Sequence, residues 1–208
     1  MRQVIAIGFV GAAALGSLAC ASTAFISSWK APDVGPVSFQ GQKVAALVIS
    51  PDESIRLEAE GTLSRELTAR GVQGIPAYNL IPPNETRDKD RAKVLFDTAG
   101  IVGVVVMRAA GVDKELSYSP AYWSGAPYGT FWGGGYYGYG WGSVYESGYL
   151  RSDIIVKVET LVYDLKTDKL LWAGMSESTN PSGVKALINE LVTGAAAEMK
   201  KKGLIGSK

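Results

Sequence analysis

The chain has 208 residues, 47% of them hydrophobic and 20% charged, which is enough for one domain with its own core. Its 21 basic and 20 acidic residues nearly cancel, so no net field draws it to nucleic acid or to an anionic surface, and no nucleic-acid partner is expected. It contains no histidine and a single cysteine, Cys20, which excludes a disulfide framework, histidine general-base chemistry and the commonest metal ligand.

The chain opens with a short positive segment, Met1 to Gln3, and an uncharged run from Val4 to Leu18. That run suits a signal h-region and is short for a membrane span, which needs about 20 residues. Residues 1–19 therefore read as an export signal. It ends in GSLAC, with Ala19 directly before Cys20. These residues resemble the lipobox of bacterial lipoproteins, although that family favours Leu and then a small residue where this chain has Ser17 and Leu18. The resemblance implies a lipidated Cys20 at the mature N-terminus. The Ala21 and Ser22 that follow imply outer-membrane anchorage on the periplasmic face of a two-membraned cell. Ala19-Cys20-Ala21 also spells an A-x-A cleavage site, which would discard Cys20 and leave a soluble exported protein.

Residues 20–42 read as a tether, rich in Ser, Ala, Pro and Gly and without a sustained period, with Trp29 and Phe39 covering an edge of the domain. The single domain is expected over residues 43–205. Val44 to Ser50 is a continuous apolar run of the buried-strand type. Ser50, Pro51 and Glu53 form a capping-box arrangement for a helix that buries Ile55, Ala59, Leu63 and Leu67, turns Arg56, Glu60 and Arg65 elsewhere, and stops at Gly71. A short strand near Val72 to Tyr78 follows. A second helix spans about Arg87 to Thr98, burying Val94 and Leu95 or Phe96 before Gly100 ends it.

Ile101 to Ala109 is the expected central strand. After an insertion at residues 111–150, Asp153 to Tyr163 alternates as a half-buried strand, with Ile154, Val156, Val158, Thr160 and Val162 on one face and Asp153, Lys157 and Glu159 on the other. Asp164 to Asp168 turns the chain and Leu170 to Met175 returns, with Trp172 on the sheet. A last helix, Pro181 to Lys202, is capped by Asn180 and buries Val184, Leu187, Ile188, Leu191, Ala195 and Met199. The fold class is α/β, a mixed sheet with helices packed on it in the order β-α-β-α-β-insertion-β-β-α.

This order, with SSWKAP, VAALVISPDESIRLEAEGTLSRELTARG and VETLVYDLKTDKLLWAG, resembles small bacterial envelope lipoproteins. It is more distantly similar to the periplasmic α/β domain of the curli-secretion channel lipoprotein and the N-terminal domain of the Tol-system propeller protein. The resemblance implies a fold and an address rather than an activity.

The residues carry no catalytic constellation, and the expectation is a non-enzymatic protein without metal or cofactor. Gly133, Gly135 and Gly138 spell G-x-G-x-x-G, but no strand precedes them and no helix follows to present amides to a phosphate. Glu58 and Glu60 are two apart on a helix, as are Asp88 and Asp90 among cations, so neither pair converges as a glycosidase pair must.

The insertion is the distinctive feature. From Leu116 to Leu150 the only charge is Glu146, while eight of ten tyrosines and three of five tryptophans fall between Tyr118 and Tyr149. Tyr137, Tyr139, Trp141, Tyr145 and Tyr149 occupy alternate positions, an aromatic stripe if the segment is extended, backed by Gly138, Gly140, Gly142 and Gly148. Tyr122, Trp123, Trp132, Tyr137, Tyr139, Trp141 and Tyr145 are the candidate binding residues, for a protein partner or self-association, a membrane interface, or stacking on glycan such as peptidoglycan. Glycine on the reverse face is unlike the polar lumen of a barrel strand, which argues against a pore.

Overall fold

A computed structural model describes residues 22–113, 129–132, 137 and 154–205. The signal segment, Cys20, and the candidates Tyr122, Trp123, Tyr139, Trp141 and Tyr145 lie outside the described residues. The elements are β1 (Ser22–Lys30), β2 (Lys43–Ile49), α1 (Glu53–Ala69), β3 (Gln73–Pro76), α2 (Lys89–Ala99), β4 (Gly103–Asp113), β5 (Ile155–Asp164), β6 (Lys169–Thr179) and α3 (Val184–Lys201), with short 3-10 turns at Ala77–Asn79 and Pro83–Glu85. Six strands form one mixed sheet in the order β1-β6-β5-β4-β2-β3. β2 runs parallel to β3 and β4; the pairs β4/β5, β5/β6 and β1/β6 are antiparallel.

The topology decides which helix covers which face. The crossover from β2 through α1 steps outward to β3, and the crossover through α2 steps back over β2 to β4. Two connections of the same hand that step in opposite directions put their helices on opposite faces. Accordingly Ala59 and Leu63 of α1 pack with Ala46, Val48 and Met107, and α3 joins them through Ile188, Leu191 and Val192. On the other face Ala92 and Phe96 of α2 pack with Ala45, Leu47, Ile49, Val104 and Val106. The continuous apolar runs of β2 and β4 follow from being covered on both sides.

Several boundaries and faces differ from the sequence reading. Asp52 rather than Ser50 caps α1, accepting from the Ile55 amide at 3.1 Å, while Ser50 Oγ accepts from the Asp52 amide at 3.2 Å. Ile55 is exposed, and Arg56 and Glu60 are buried instead. Val94 of α2 is also exposed; the buried pair is Ala92 and Phe96, four residues apart on one face, with Gly100 ending the helix at φ 71°. α3 begins at Val184 behind Gly183, and Asn180 is not its cap: at φ 48° its carboxamide oxygen accepts from the Ile154 amide at 2.8 Å. Glu159 and Thr160 are both buried, so the central part of β5 is covered on two faces rather than one.

The largest departure is at the start. Ser22–Lys30, read as part of a tether, is an edge strand antiparallel to β6, with a register shift between Phe25 and Ser27. The Phe25 ring lies 5.6 Å from Trp172, above the bare surfaces of Gly174 and Gly194. Beyond β1, Val34, Val37 and Phe39 pack on a cluster holding Val162, Trp172, Ala195 and Leu204. An open edge on β6 and a scatter of apolar side chains from Phe25 to Phe39 outweigh the prolines and glycines that suggested a linker. Phe25→Ala is expected to remove roughly 2 kcal/mol of unfolding free energy, read as a lower urea midpoint at unchanged slope; a tether residue would leave the midpoint where it is.

Candidate functional site

The described part of the insertion sits where α2 stops covering the sheet. The β5–β6 turn is shaped by Asp164, whose Oδ1 accepts from the Lys166 and Thr167 amides at 2.8 and 3.4 Å. Asp168 follows in the left-handed region, φ 52°. Its Oδ1 accepts two amides of the insertion, Phe131 at 2.8 Å and Trp132 at 3.1 Å, and the Leu170 amide donates to the Gly129 carbonyl at 3.4 Å. One turn carboxylate thus holds residues 129–132 against the far end of the sheet, a strand's length from Ile155.

The side chains complete the core there. Phe131 lies 5.2 Å from Tyr163, 4.7 Å from Trp132 and 5.5 Å from Tyr137 between ring centroids. Trp132 meets Phe96 of α2 edge-on at 5.7 Å, and Lys93 Nζ stands 5.9 Å above its ring. The Tyr137 amide donates to the Phe131 carbonyl at 3.1 Å, and its hydroxyl donates to the Thr86 carbonyl at 2.7 Å. Edge-to-face pairs of this kind are each worth about 0.5–1.5 kcal/mol beyond area burial.

Phe131 and Tyr137 are fully buried and Trp132 is 5% exposed. Two of the seven candidate binding residues, Trp132 and Tyr137, are therefore core residues in this chain rather than an outward contact surface, because their rings cover the part of the sheet that α2 leaves bare. Tyr137, read as the start of an extended alternating stripe, is helical, and the other members of that expected stripe lie outside the described residues. A signal for this was present in β5: the parity that carries Lys157 and Glu159 continues into Leu161 and Tyr163, an apolar end on the face read as polar. Nothing in the sequence pointed to Asp168.

The acids suggested for hydrolytic chemistry do not converge. Asp88 is the N-cap of α2, accepting from the Arg91 amide at 2.9 Å; Asp90 is exposed; Glu58 is exposed while Glu60, two residues on, is buried; Glu146 lies outside the described residues. Among the described residues no group of three or more metal-ligating side chains comes together. No described helix is long and apolar enough to cross a membrane.

Four charged side chains, Arg56, Glu60, Arg108 and Glu159, are buried that the sequence reading did not place in the core. Arg108 on β4 and Glu159 on β5 are register partners, with Arg108 Nε and Nη2 at 3.1 and 2.9 Å from Glu159 Oε2. Glu60 does a different task. β3 ends at Pro76, opposite Ala46, so the next amide of β2 that points the same way, Val48, has no strand partner. Glu60 Oε1 accepts from that amide at 3.2 Å and Oε2 accepts from the Tyr78 amide at 2.7 Å, with Arg56 Nη1 3.6 Å away. The carboxylate replaces the missing end of β3.

Burial pushes the Glu60 carboxyl up from 4.5 to about 7, against the opposing pull of the Val48 amide, Arg56 and the Tyr78 amide. A carboxyl raised on folding favours the folded state most below its unfolded pKa, and that contribution fades as pH rises through the folded value. Wild-type stability is expected to fall by about 2–3 kcal/mol between about pH 5 and pH 8 from this group, whereas Glu60→Gln, which loses one of the two amide contacts, starts lower and lacks this fall in urea melts across that range. Trp132→Ala is expected to cost roughly 3–5 kcal/mol in the same assay, as for other large-to-small core changes, and to erase part of the near-ultraviolet dichroism.

No protein-family model matches the chain, and no curated protein sequence does. The mixed α/β architecture has likenesses among solved structures. A point variant of PelC from Paraburkholderia phytofirmans, a dodecamer, aligns at TM-score 0.45 and 12% identity over 82% of this chain and 95% of that one. A second PelC dodecamer from the same organism aligns at 0.43 and 12% over 86% and 99%. Lipoprotein GNA1162 from Neisseria meningitidis aligns at 0.38 and 16% over 76% and 97%. At these identities and TM-scores the likenesses carry no inference about what this chain binds or assembles into.

Proposed function

We propose that this chain is a non-enzymatic envelope lipoprotein, acylated on Cys20 and held at the periplasmic face of an outer membrane, whose α/β domain acts as an interaction or assembly module. Residues 1–19 are its signal peptide, and the Gly/Tyr/Trp-rich insertion supplies the contact surface for a protein partner or a second copy. One observation carries this reading: the export-signal pattern ends at Cys20 and the first described element begins at Ser22, so loss of residues 1–19 leaves every described element whole. Acyl chains contribute about 0.8 kcal/mol per buried methylene, enough for several on one cysteine to hold a domain without a spanning helix. Asp52 and Asp88 are spent on helix caps, Glu60 on backbone amides and Arg108 and Glu159 on an ion pair, which supports a non-catalytic role for these groups.

With Trp132 and Tyr137 inside the core, Tyr122, Trp123, Tyr139, Trp141 and Tyr145 remain as the proposed contact residues. Mass spectrometry of the mature N-terminus tests the address: acyl mass on Cys20 is expected, and a chain beginning after Ala21 without it overturns the reading. Trp141→Ala tests the surface, with loss of partner capture or self-association expected at unchanged urea stability. Saturable retention on purified sacculi that disappears in Trp141→Ala would reassign the surface to glycan.

A further inference from the structure

The sheet register places four backbone positions side by side: Ser22 of β1 opposite Thr179 of β6, Thr179 opposite Ile155 of β5, and Ile155 opposite Asp113 of β4. They form one row across one end of the sheet. Cys20 is two residues before Ser22. An extended chain advances at most about 3.6 Å per residue, so the cysteine lies no farther than about 7 Å from that row. Strands are spaced about 4.8 Å apart, so Asp113 and Ile155, the two strand ends that flank the insertion, both fall within about 15 Å of Ser22.

Had residues 20–42 formed a flexible tether, its root-mean-square span of about 25 Å would have let the domain take any orientation. A link of two residues does not. The anchor's position in the fold therefore becomes a statement about which end meets the lipid.

A second feature of the same end fits a lipid surface. Ile154, next to the row, is 54% exposed. Its backbone is held on both sides by Asn180, whose side chain accepts from the Ile154 amide at 2.8 Å and whose amide donates to the Ile154 carbonyl at 2.7 Å. A large apolar side chain is thus fixed facing outward. The opposite end of β5 is polar: exposed Lys166 and Thr167 form the turn, and Lys169 pairs with Asp33 at the surface, 3.1 Å apart.

We propose that the end of the sheet marked by Ser22, Thr179, Ile155 and Asp113 docks on the bilayer surface, with Ile154 at the boundary between headgroups and acyl chains and the β5–β6 turn pointing away from the membrane. The proposal rests on acylation of Cys20. It commits to lipid as the occupant of this end; were the end reserved for a protein instead, positions 154 and 166 would be quenched equally in the vesicles.

Cys20 is the only native cysteine, and acylation consumes its thiol, so Ile154→Cys and Lys166→Cys each add one labelling site at an exposed position. Both variants are produced as the full exported chain, checked for acyl mass, labelled with an environment-sensitive fluorophore, and reconstituted in phosphatidylethanolamine–phosphatidylglycerol vesicles containing lipids spin-labelled near the headgroup. Quenching several-fold stronger at position 154 than at 166 is expected. Equal quenching in protein that carries the acyl mass overturns the docking proposal and leaves the lipoprotein reading standing. A mature chain without acyl mass overturns both.

Discussion

A sheet whose central strands are apolar on both faces must be covered on both faces, and the rest of this structure follows from how unevenly the helices meet that demand. One face has α1 and α3, of 17 and 18 residues. Among the helices described from end to end, the other has α2 alone, whose 11 residues reach about 16 Å against strands β4 and β5 that run to roughly twice that length. The shortfall is made up by Phe131, Trp132 and Tyr137, held by the Asp168 carboxylate at the β5–β6 turn. The described residues of the insertion are in this respect part of the core, where Phe131, Trp132 and Tyr137 exclude water from the sheet.

The same geometry accounts for the buried charges. β3 is four residues long and β2 is seven, so the outer side of β2 outruns its partner. An amide left unpaired in a dry interior costs about 1–3 kcal/mol, and α1, crossing directly above, supplies Glu60 to meet it. Arg108 and Glu159 solve the corresponding problem on the other face by pairing with each other across adjacent strands. Removing one member of such a pair strands the other, which is why both sites are structural commitments rather than spare chemistry.

The edge strand changes the picture of the whole molecule. With β1 paired to β6, the chain is already in the sheet at Ser22, two residues after Cys20, and the ends of β4 and β5 that flank the insertion share that row. A lipid on that cysteine would act at one end of a rigid body, with the middle of the insertion pinned near the other. The domain then has a defined polarity, one end beside the anchor and the other carrying the charged turn.

Periodicity and punctuation in the sequence by themselves determined the α/β class, the order of elements from β2 onward, the Gly100 stop of α2 and the hairpin through Asp164, because helices, strands and their caps are local matters of residue type and spacing. Tertiary structure alone decided that Ser22–Lys30 is a strand, since only the open edge of β6 makes that segment extended. It alone put Arg56 and Glu60 inside, since the stripe that α1 buries depends on where β3 happens to end. And it took Trp132 and Tyr137 from a supposed outer surface into the core, because a ring's burial depends on which side of the sheet lacks cover, which no stretch of sequence records about itself.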